Sequence, residues 1–594
     1  MTRTGSLIDE LKRRKVVRAV IVYLASAFAA LQAGDVLVPA LRLPEWTMSL
    51  IVGLAAIGLP VVVGLAWAFD LTEEGLSPDR QPADGPRAGS GSWLTANTVV
   101  LVAVMLAVGV GAGWIARSLS SSSLTAEGRE ERSIAVIPFD NLSSDEENAY
   151  LAVGIQDEIL TQLGKISDLR VISRSSVMRY EPGPERASIP EIGQELSATW
   201  VVEGSVARVG ESVRINVQLI ESATDDHAWA EAYDGDLTVQ GLLAFQAQVA
   251  ARIAESLSAT IRPDEELRIA ALPTNDSRAY ELYLRANELF RVRREAELRR
   301  ALELYDEAIG LDATFALAHA GKALIYAVLP FYSDESVAVA YDAGLAAAAR
   351  ALELDPSVAQ AHAAIGDMVF HRHYDGVAAE QSLRRALELE PSYAQAWDWL
   401  SEVQLARRRA DEALASNQEA LRLDPLSVRL NFMFGNLLYE SGRTEAGIEQ
   451  LERASDLDPG YALAHETLGR ALMEAGRHQE AAAAFGRYAI ALGDDQARVL
   501  ERVALALASG QGPRRVEVAA ELDALRASWR LPSPSIAWAY LLLGRRETAL
   551  EWLERGYDAE DIIIPFINGM RALESLREEP RFRALVGRMN LGLS

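Results

Sequence analysis

Four prolines recur in the second half of the chain at a nearly constant interval. Pro356, Pro391, Pro425 and Pro459 follow one another at intervals of 35, 34 and 34. Each follows an acidic helix end, LELD, LELE, LRLD and SDLD in turn, and an alanine stands five residues before each proline. A unit of this length cannot bury its own apolar face, so neighbouring units must stack and bury it for one another. The period therefore restricts this part of the chain to a helical solenoid.

A period of about 34 residues indicates two antiparallel helices per unit, the spacing of the tetratricopeptide repeat. Gly366, Gly435 and Gly469 fall in the middle of the first helix of a unit, where the second helix crosses closely. The predicted segments are six repeats over residues 276–493, with extra residues near 329–337 in the second, and then residues 494–594, with a degenerate repeat at 538–556 and a helical cap over the open end.

Tetratricopeptide arrays bind protein segments on a concave face lined by the first helix of each pair. Phe432 and Tyr439 are seven residues apart and share one side of such a helix. Some of the residues on this face can instead pack between repeats or lie on solvated surface. We expect a protein or peptide partner there, and no cofactor and no metal. The proline register predicts these groove residues: Arg429, Phe432, Asn436, Tyr439, Glu466 and Arg470.

Three apolar stretches precede residue 120, and each has the length of about 20 residues that crosses a hydrocarbon core. Lys and Arg at positions 12–15 and 18 stand directly before the first stretch, so the positive-inside rule predicts a cytoplasmic N-terminus. A cleaved signal peptide is the alternative for the first stretch, but its length and the tight hairpin to the second argue against cleavage. The membrane module is predicted over residues 1–118, with helices at about 17–40, 47–69 and 96–116.

Asp35 is an ionisable residue within the first apolar stretch, a placement that often marks function. It falls about 18 residues after the start of the predicted helix, which is near the far interface. Pro39 would end the helix shortly beyond it. We favour a structural position at the interface, and the role of Asp35 stays open.

Residues 119–131 are Ser-rich, have no apolar period and predict a flexible linker. Residues 132–265 have the pattern of a small α/β domain with a mixed sheet. IAVIPF (134–139) is typical of a buried strand, and two alternating runs joined by Gly210-Glu211 predict a β-hairpin. Glu203-Gly204-Ser205 interrupts one of these runs, which indicates either a bulge or a close backbone approach.

The α/β domain carries no motif of a phosphate loop, a dinucleotide site, a nucleophile elbow or a zinc protease. The Asp-Asp-His run at residues 225–227 lies at a predicted hairpin turn, where acidic residues are ordinary. His371 and His373 lack a third metal ligand, and the three arginines at 407–409 are typical of a solvated turn. Without cysteine the chain has no disulfide or thiolate site. We predict that it is not an enzyme.

The runs SIAVIPFDNLSSDEENAYLAVGIQDEILTQLGKISDLRVISRSSVMRY (133–180) and IGQELSATWVVEGSVARVGESVRINVQLIESATDDHAWAEAYDGDL (192–237) closely resemble the TolB-amino-terminal/FlgO-like domain of bacterial membrane proteins. In those relatives this domain lies between a membrane segment and a tetratricopeptide array. SLIDELKRRKVVRAVIVYLASAFAALQ (6–32), with LPEW and AWAFDLTEEGL, resembles the three-span module of the same group. Some relatives add a cyclase, kinase or winged-helix domain. No such domain fits ahead of Ala19, so those activities are not expected here.

The net charge of −26 is unevenly distributed. Residues 1–120 hold 10 Lys or Arg against 9 Asp or Glu, which leaves 48 against 75 in residues 121–594, a net charge of −27 there. Such acidity argues against nucleic acid as a partner, since phosphate binding needs clustered Lys and Arg. It favours a protein partner with some basic surface.

Together these patterns predict a multidomain chain with three transmembrane helices, a small mixed-sheet α/β domain and an all-α tetratricopeptide superhelix. We expect a membrane-anchored scaffold of the bacterial inner membrane, with residues after about 117 in the periplasm. The alternative is a receptor subunit that passes a periplasmic binding signal to a cytoplasmic effector, although the chain has little cytoplasmic mass for that. Whether it forms homo-oligomers stays open.

Overall fold

A computed structural model describes the chain at Tyr23 and over residues 69–72, 75–78, 132–143, 149–209, 212–236, 238–525 and 531–592. The chain divides into two compact units, Met1–Glu130 and Glu131–Ser594. In the first unit, β1 (Phe69–Thr72) pairs antiparallel with β2 (Gly75–Pro78).

The predicted membrane module lies largely outside the described residues. Apart from Tyr23 and Phe69, this holds for the three apolar stretches, for Asp35 and for the linker at 119–131. None of the helices in the described parts of the chain is at once long enough and apolar enough to cross a bilayer.

The second unit begins with a small α/β domain built on a mixed sheet, as the sequence predicts. Its strand order is β5-β3-β6-β7-β8; β3 runs parallel to β5 and β6, β6 to β8 form an antiparallel meander, and β4 pairs with β6. The strands are β3 (Ser133–Val136), β4 (Asp140–Asn141), β5 (Arg170–Val171), β6 (Trp200–Val209), β7 (Ser212–Glu221) and β8 (Asp226–Asp236). The helices are α1 (Ala149–Gly164), α2 (Arg174–Val177), α3 (Ile189–Leu196), α4 (Val239–Ser256) and α5 (Pro263–Ala270).

Strand β3 is buried on both faces, which explains its continuous apolar sequence. Ile134 and Val136 face the core that α1 and α4 cover, whereas Ala135 and Ile137 face a second core beneath α3. Strand β7 instead alternates between buried and more exposed residues, because only one of its faces is covered. The two strand patterns of the sequence therefore report two different levels of burial.

Gly204 lies in an unbroken part of β6, paired with Val217. A Cβ at this position would lie 2.5 Å from the Asn216 carbonyl oxygen and 2.8 Å from the Phe139 ring. Of the two alternatives for this site, the structure shows the close backbone approach. The register shift of this sheet falls elsewhere, at Leu219 and Ile220 of β7.

Eight antiparallel helix pairs follow over the described residues 277–525 and 531–558. In each pair the first helix is called A and the second B. The pairs are α6 (Ser277–Val292) with α7 (Glu295–Leu311), α8 (Ala316–Val328) with α9 (Val337–Leu354), α10 (Ala359–His373) with α11 (Gly376–Leu389), α12 (Ala394–Ala406) with α13 (Ala410–Leu423), α14 (Val428–Glu440) with α15 (Thr444–Leu457), α16 (Ala462–Glu474) with α17 (His478–Leu492), α18 (Arg498–Ala508) with α19 (Gly512–Leu525), and α20 (Ser533–Leu542) with α21 (Arg546–Asp558).

Small residues in the A helices let the paired helices approach closely. A side chain at any of the three predicted glycines would strike the B helix of the same pair, and overpacking of this kind destabilises a core. A Cβ added at Gly366 would lie 2.6 Å from Leu383. One added at Gly435 would lie 2.8 Å from Leu451, and one added at Gly469 would lie 2.5 Å from Phe485.

The end of the chain differs from the prediction in two ways. The proline period does not reveal the seventh pair, α18 and α19, because pair 6 ends at Gly493 rather than at a proline. The helices predicted as a degenerate seventh repeat are therefore the eighth pair. Residues 559–592, the C-terminal segment, contain α22 (Pro580–Gly587), which packs near α21.

The rest of the C-terminal segment does more than cap the stack. It runs back along the C-terminal ends of earlier A helices, where the Asn568 side-chain amide donates to the Ala406 carbonyl (2.9 Å) and the Arg571 N–H donates to Glu440 (2.5 Å). Near its end, the Asn590 carbonyl accepts from the Gly376 N–H (3.0 Å). The predicted cap at the open end therefore also lies along pairs 3 to 6.

The α/β domain packs against the loops that join consecutive pairs. The edge strand β5 lies beside Ser392, whose Oγ is 3.3 Å from the Val171 amide nitrogen. The Ser173 N–H donates to the Leu423 carbonyl (2.6 Å), and the Ser176 hydroxyl donates to Asp424 (2.5 Å). These contacts cover a strand edge that would otherwise present unpaired backbone groups.

Charged groups are also enclosed at this contact. Lys165, directly after α1, donates to Gln162 Oε1 (2.9 Å) and to the Arg268 carbonyl (3.2 Å), and its charge acts on Glu390 in the loop after pair 3. Burial lowers the pKa of Lys165. Burial also raises the pKa of Glu390 to about 7, although the Lys165 charge opposes this rise. An ionised Glu390 therefore costs stability in the folded chain.

Glu390→Gln should change how stability depends on pH. The folded chain keeps the Glu390 proton between its unfolded-state pKa near 4.5 and its folded-state pKa of about 7, where the unfolded chain has lost it. Wild-type stability therefore falls as pH rises through this window, and the variant lacks that contribution. The melting temperature of the variant relative to wild type should rise from about pH 5 to about pH 8 in circular dichroism melts.

Glu388→Gln, two residues earlier at the end of α11, is the matched control, because the Glu388 side chain is 65% exposed. Its difference from wild type should be the same at both ends of the pH range. A difference for Glu390→Gln that does not change with pH would contradict the assignment.

Candidate partner-binding groove

The candidate groove is the inner face formed by the A helices of pairs 3 to 6: α10, α12, α14 and α16. Neighbouring A helices contact one another there, and equivalent positions recur at the repeat period between pairs 4, 5 and 6. One of these positions holds Asp398, Phe432 and Glu466, and another holds Glu402, Asn436 and Arg470.

Arg429 is the most exposed of the charged residues predicted for the groove, and it bridges two repeats. Its Nε lies 2.7 Å from Asp398 Oδ2, and its Nη2 lies 2.5 Å from Glu402 Oε1. Both carboxylates are buried, at 1% and 7% exposure, while the Arg429 side chain keeps 36%. A buried carboxylate needs such a partner, so Arg429 holds α14 against α12 as well as facing the groove.

Arg470 and Glu466 form a second buried cluster one repeat further on. Arg470 Nε donates to Glu466 Oε2 (3.2 Å), and Arg470 Nη1 lies 3.6 Å from Glu440 Oε1. The Arg470 guanidinium also lies 5.9 Å from the centre of the Tyr439 ring. The Ser535 hydroxyl of α20 donates to Glu466 Oε1 (3.1 Å), so the eighth pair reaches the sixth across the inner face.

The two remaining predicted residues lie between these clusters. Phe432 is buried, and its ring centre lies 5.5 Å from that of Tyr461 at the start of α16. Asn436 is half-buried, with its Nδ2 3.8 Å from Met433 Sδ. All six predicted residues therefore contact neighbouring groups of this chain, and contact with a partner stays a prediction for each of them.

The proline register singles out residues of pairs 5 and 6 and passes over an acidic set on the same face. Extending that register by one repeat finds Asp398 and Glu402. The carboxylates of these four A helices are Asp367, Asp398, Glu402, Glu440, Glu466 and Glu474, against the permanent cations Arg372, Arg429 and Arg470 of the same helices.

Burial and crowding change the titration of this set. Burial raises the pKa of Glu402 to about 7, and Arg429 opposes that rise only in part. Burial also raises the pKa of Glu440 to about 7, against the opposing charge of Arg470. For His371, burial disfavours the charged form, but the Asp367 carboxylate outweighs it and the pKa lies above its usual value. Burial therefore keeps Glu402 and Glu440 partly protonated near neutral pH.

Two other features of the sequence have structural roles. The His371 Nδ1 lies 3.0 Å from the Asp367 carbonyl oxygen, and its ring packs against Phe370 at 5.0 Å. Arg407 and Arg409 both form ion pairs with Glu380 at the turn between α12 and α13. The three-arginine run therefore serves partly to neutralise a carboxylate of the preceding repeat.

Part of this array matches a known family. Residues 378–428 and 432–497 match the tetratricopeptide repeat model, so the C-terminal region is a tetratricopeptide repeat region. Proteins with such repeats bind protein or peptide partners.

A curated relative is similar to part of the sequence. The chain is 37% identical over 196 residues to "Putative adenylate cyclase 3" of Rhizobium meliloti (strain 1021). The match covers 32% of this chain and 32% of the relative, so this chain spans about a third of the length of the curated relative it matches.

Solved structures with a low overall similarity include several repeat proteins. YrrB, titled a TPR protein with an unusual peptide-binding site, is 20% identical with a TM-score of 0.25 over 33% of this chain and 95% of its own. PilF of Pseudomonas aeruginosa is 20% identical (TM-score 0.30; 37% and 94% covered), and human IFIT1 is 16% identical (0.32; 54% and 81%). At these TM-scores they add no argument about function.

Arg429→Ala should destabilise the array, because it leaves Asp398 and Glu402 buried without their partner. We expect a loss of about 2–4 kcal/mol in the free energy of unfolding, measured by denaturant titration. Arg443→Ala is the control: Arg443 is 56% exposed and pairs with an Asp411 that is 91% exposed. That change should cost less than about 1 kcal/mol. Equal losses for the two variants would contradict a bridging role for Arg429.

Proposed function

We propose that this chain is a non-enzymatic, membrane-anchored scaffold that recruits a partner protein through the groove of its tetratricopeptide array. The observation that carries the proposal is the match of residues 378–428 and 432–497 to a repeat whose family binds protein segments. A scaffold needs a surface whose charge distinguishes its partner from other proteins. The acidic set on the inner face supplies it.

The partner class follows from charge. The four A helices of the groove hold six carboxylates against three arginines, and residues 121–594 carry a net charge of −27. Electrostatic complementarity raises association rates and excludes like-charged competitors. We therefore propose a protein or peptide partner with basic residues, and not nucleic acid.

The membrane part of the proposal rests on the sequence. The three uncharged or nearly uncharged stretches before residue 120 have the length and flanking charges of transmembrane helices. With a cytoplasmic N-terminus, three crossings put the α/β domain and the array in the periplasm. The resemblance of residues 133–237 to the TolB-amino-terminal/FlgO-like domain supports the same arrangement.

The proposed absence of catalysis also rests on the sequence. The name of the Rhizobium meliloti relative describes that protein, and only about a third of either chain is matched. In the described α/β domain, Asp225 of the sequence run Asp-Asp-His has a structural role, because it adopts a positive φ of 61° in the turn between β7 and β8. We therefore assign it a positioning role beside the array.

One observation favours the receptor alternative as a second candidate. The α/β domain contacts the loops of the array through Ser173, Ser176 and Asp424, among others. A ligand that changed the spacing of these loops would change the position of the α/β domain. A signal to a cytoplasmic effector would follow that path toward the membrane module.

Site-specific photocrosslinking tests recruitment in the full chain. A photoreactive residue at Asn436, half-buried on the inner face, should give an adduct of one discrete mass in bacterial cells. The same residue at Glu388, exposed on a B helix, is the matched control and should give none. An adduct of the same mass from both positions, or from neither, would count against a groove partner.

Reporter fusions at residues 85 and 125 test the topology. The third apolar stretch (96–116) separates these positions, so a periplasm-dependent reporter should be active at residue 125 and inactive at residue 85. Activity on the same side at both positions would overturn the three-span arrangement.

A further inference from the structure

The C-terminal segment lies along one edge of the groove, at the C-terminal ends of its A helices, in a way that resembles a bound peptide. Between residues 559 and 579 its described regular structure consists of two short 3₁₀ turns, Ile564–Phe566 and Arg571–Leu576. From Phe566 to Arg571 it contacts the C-terminal ends of α10, α12, α14 and α16 in chain order. The polar contacts are made by single side chains and backbone groups, and Ile564 and Ile567 join the apolar core of the array.

We propose that residues 564–571 (IPFINGMR) are a resident ligand of the groove, and that a partner binds by presenting the same chemistry: an aromatic residue, an asparagine two residues on and an arginine three residues further. This proposal rests on the proposed function, because it names the partner class of the same groove. A partner with these groups must displace the resident segment.

Asn568 recognises a helix end. Its buried side-chain amide donates to the Ala406 carbonyl of α12 (2.9 Å), one of the carbonyls that a helix leaves without an internal partner. Gly569 follows directly, and a Cβ there would overlap the Leu405 carbonyl oxygen. The backbone thus approaches the helix end so closely that glycine alone fits after the asparagine.

Arg571 recognises two carboxylates from consecutive repeats. Its backbone N–H donates to Glu440 of α14 (2.5 Å), and its guanidinium Nη2 lies 2.6 Å from Glu474 of α16. The guanidinium also rests on Gly442, where a Cβ would lie 2.5 Å from Nη1. A cation supplied from outside the A helices therefore offsets part of the acidic excess of the groove.

Apolar contacts hold the remainder of the resident segment. The Phe566 ring lies 5.4 Å from that of Phe370 and 5.8 Å from that of His371 at the end of α10. Ile567 and Met570 are buried, at 0% and 7% exposure. The segment therefore has a central apolar anchor and flanking polar contacts, the arrangement found in peptide recognition.

Peptide exchange tests the proposal with the full chain in detergent. The probe is a fluorescently labelled peptide with the sequence of residues 561–577, followed by anisotropy. It should bind the wild-type chain weakly, because the resident segment competes for the same site. A chain carrying Asn568→Ala and Arg571→Ala has a weakened resident segment and should bind the probe about tenfold more tightly.

Variants of the groove locate the binding. Adding Glu440→Gln and Glu474→Gln to the released chain should weaken probe binding about tenfold, because both carboxylates that contact Arg571 are lost. Glu445→Gln is the control, since Glu445 is 77% exposed on the next helix and should leave binding unchanged. A probe with Arg571→Glu should not bind the released chain.

Hydrogen exchange on the wild-type chain keeps the test independent of any folding defect in the variants. Saturating probe should speed exchange of the amides of residues 564–571 and leave those of α11 unchanged. Equal probe binding by wild-type and released chains, or no change in exchange, would overturn the proposal. If these tests fail while the adduct at Asn436 persists, recruitment stands and only the proposed recognition chemistry is wrong.

Discussion

The nearest-neighbour burial of helix pairs determines the rest of this structure. No pair can cover its own apolar face, so each depends on its neighbouring pairs to bury that face. Within a pair, small residues let the two helices approach closely. Gly469 shows the constraint at one point, because its missing side chain leaves the room that the Phe485 ring occupies. The inner face follows from this stacking, since it brings side chains that stand one repeat apart in sequence into contact.

Stacking also explains why charged groups are buried on the inner face. Side chains at equivalent positions of consecutive A helices lie next to one another, so the carboxylates of Asp398 and Glu402 come within reach of Arg429. Such bridges add little net stability compared with apolar packing, but removing one partner is costly. They therefore fix the register of one repeat on the next.

Local periodicity makes the array and the sheet predictable, and non-local contacts limit the prediction. The prolines and glycines recur because the helices of each repeat pack against one another in the same way. The run IAVIPF is apolar throughout because β3 is buried on both faces. The path of the C-terminal segment depends instead on single contacts such as that of Asn568 with Ala406, 162 residues away. No periodic signal reports such a contact, and the seventh pair escapes prediction because the pair before it ends at Gly493 without the proline that marks the register.

Both the loops between pairs and the turns within pairs contact other parts of the chain, which limits the positions where this array can tolerate an insertion. The loops between pairs carry the α/β domain, and the turns within pairs 3 to 6 carry the C-terminal segment. The extra residues of pair 2 are different: Phe331 and Tyr332 are 45% exposed there, between α8 and α9. Insertions are best accepted at exposed loop tips of this kind. A tag can be added in this loop if it leaves the Phe331 ring in its edge-on contact with His371 of α10, 5.7 Å away, because that contact joins the loop to the inner helices.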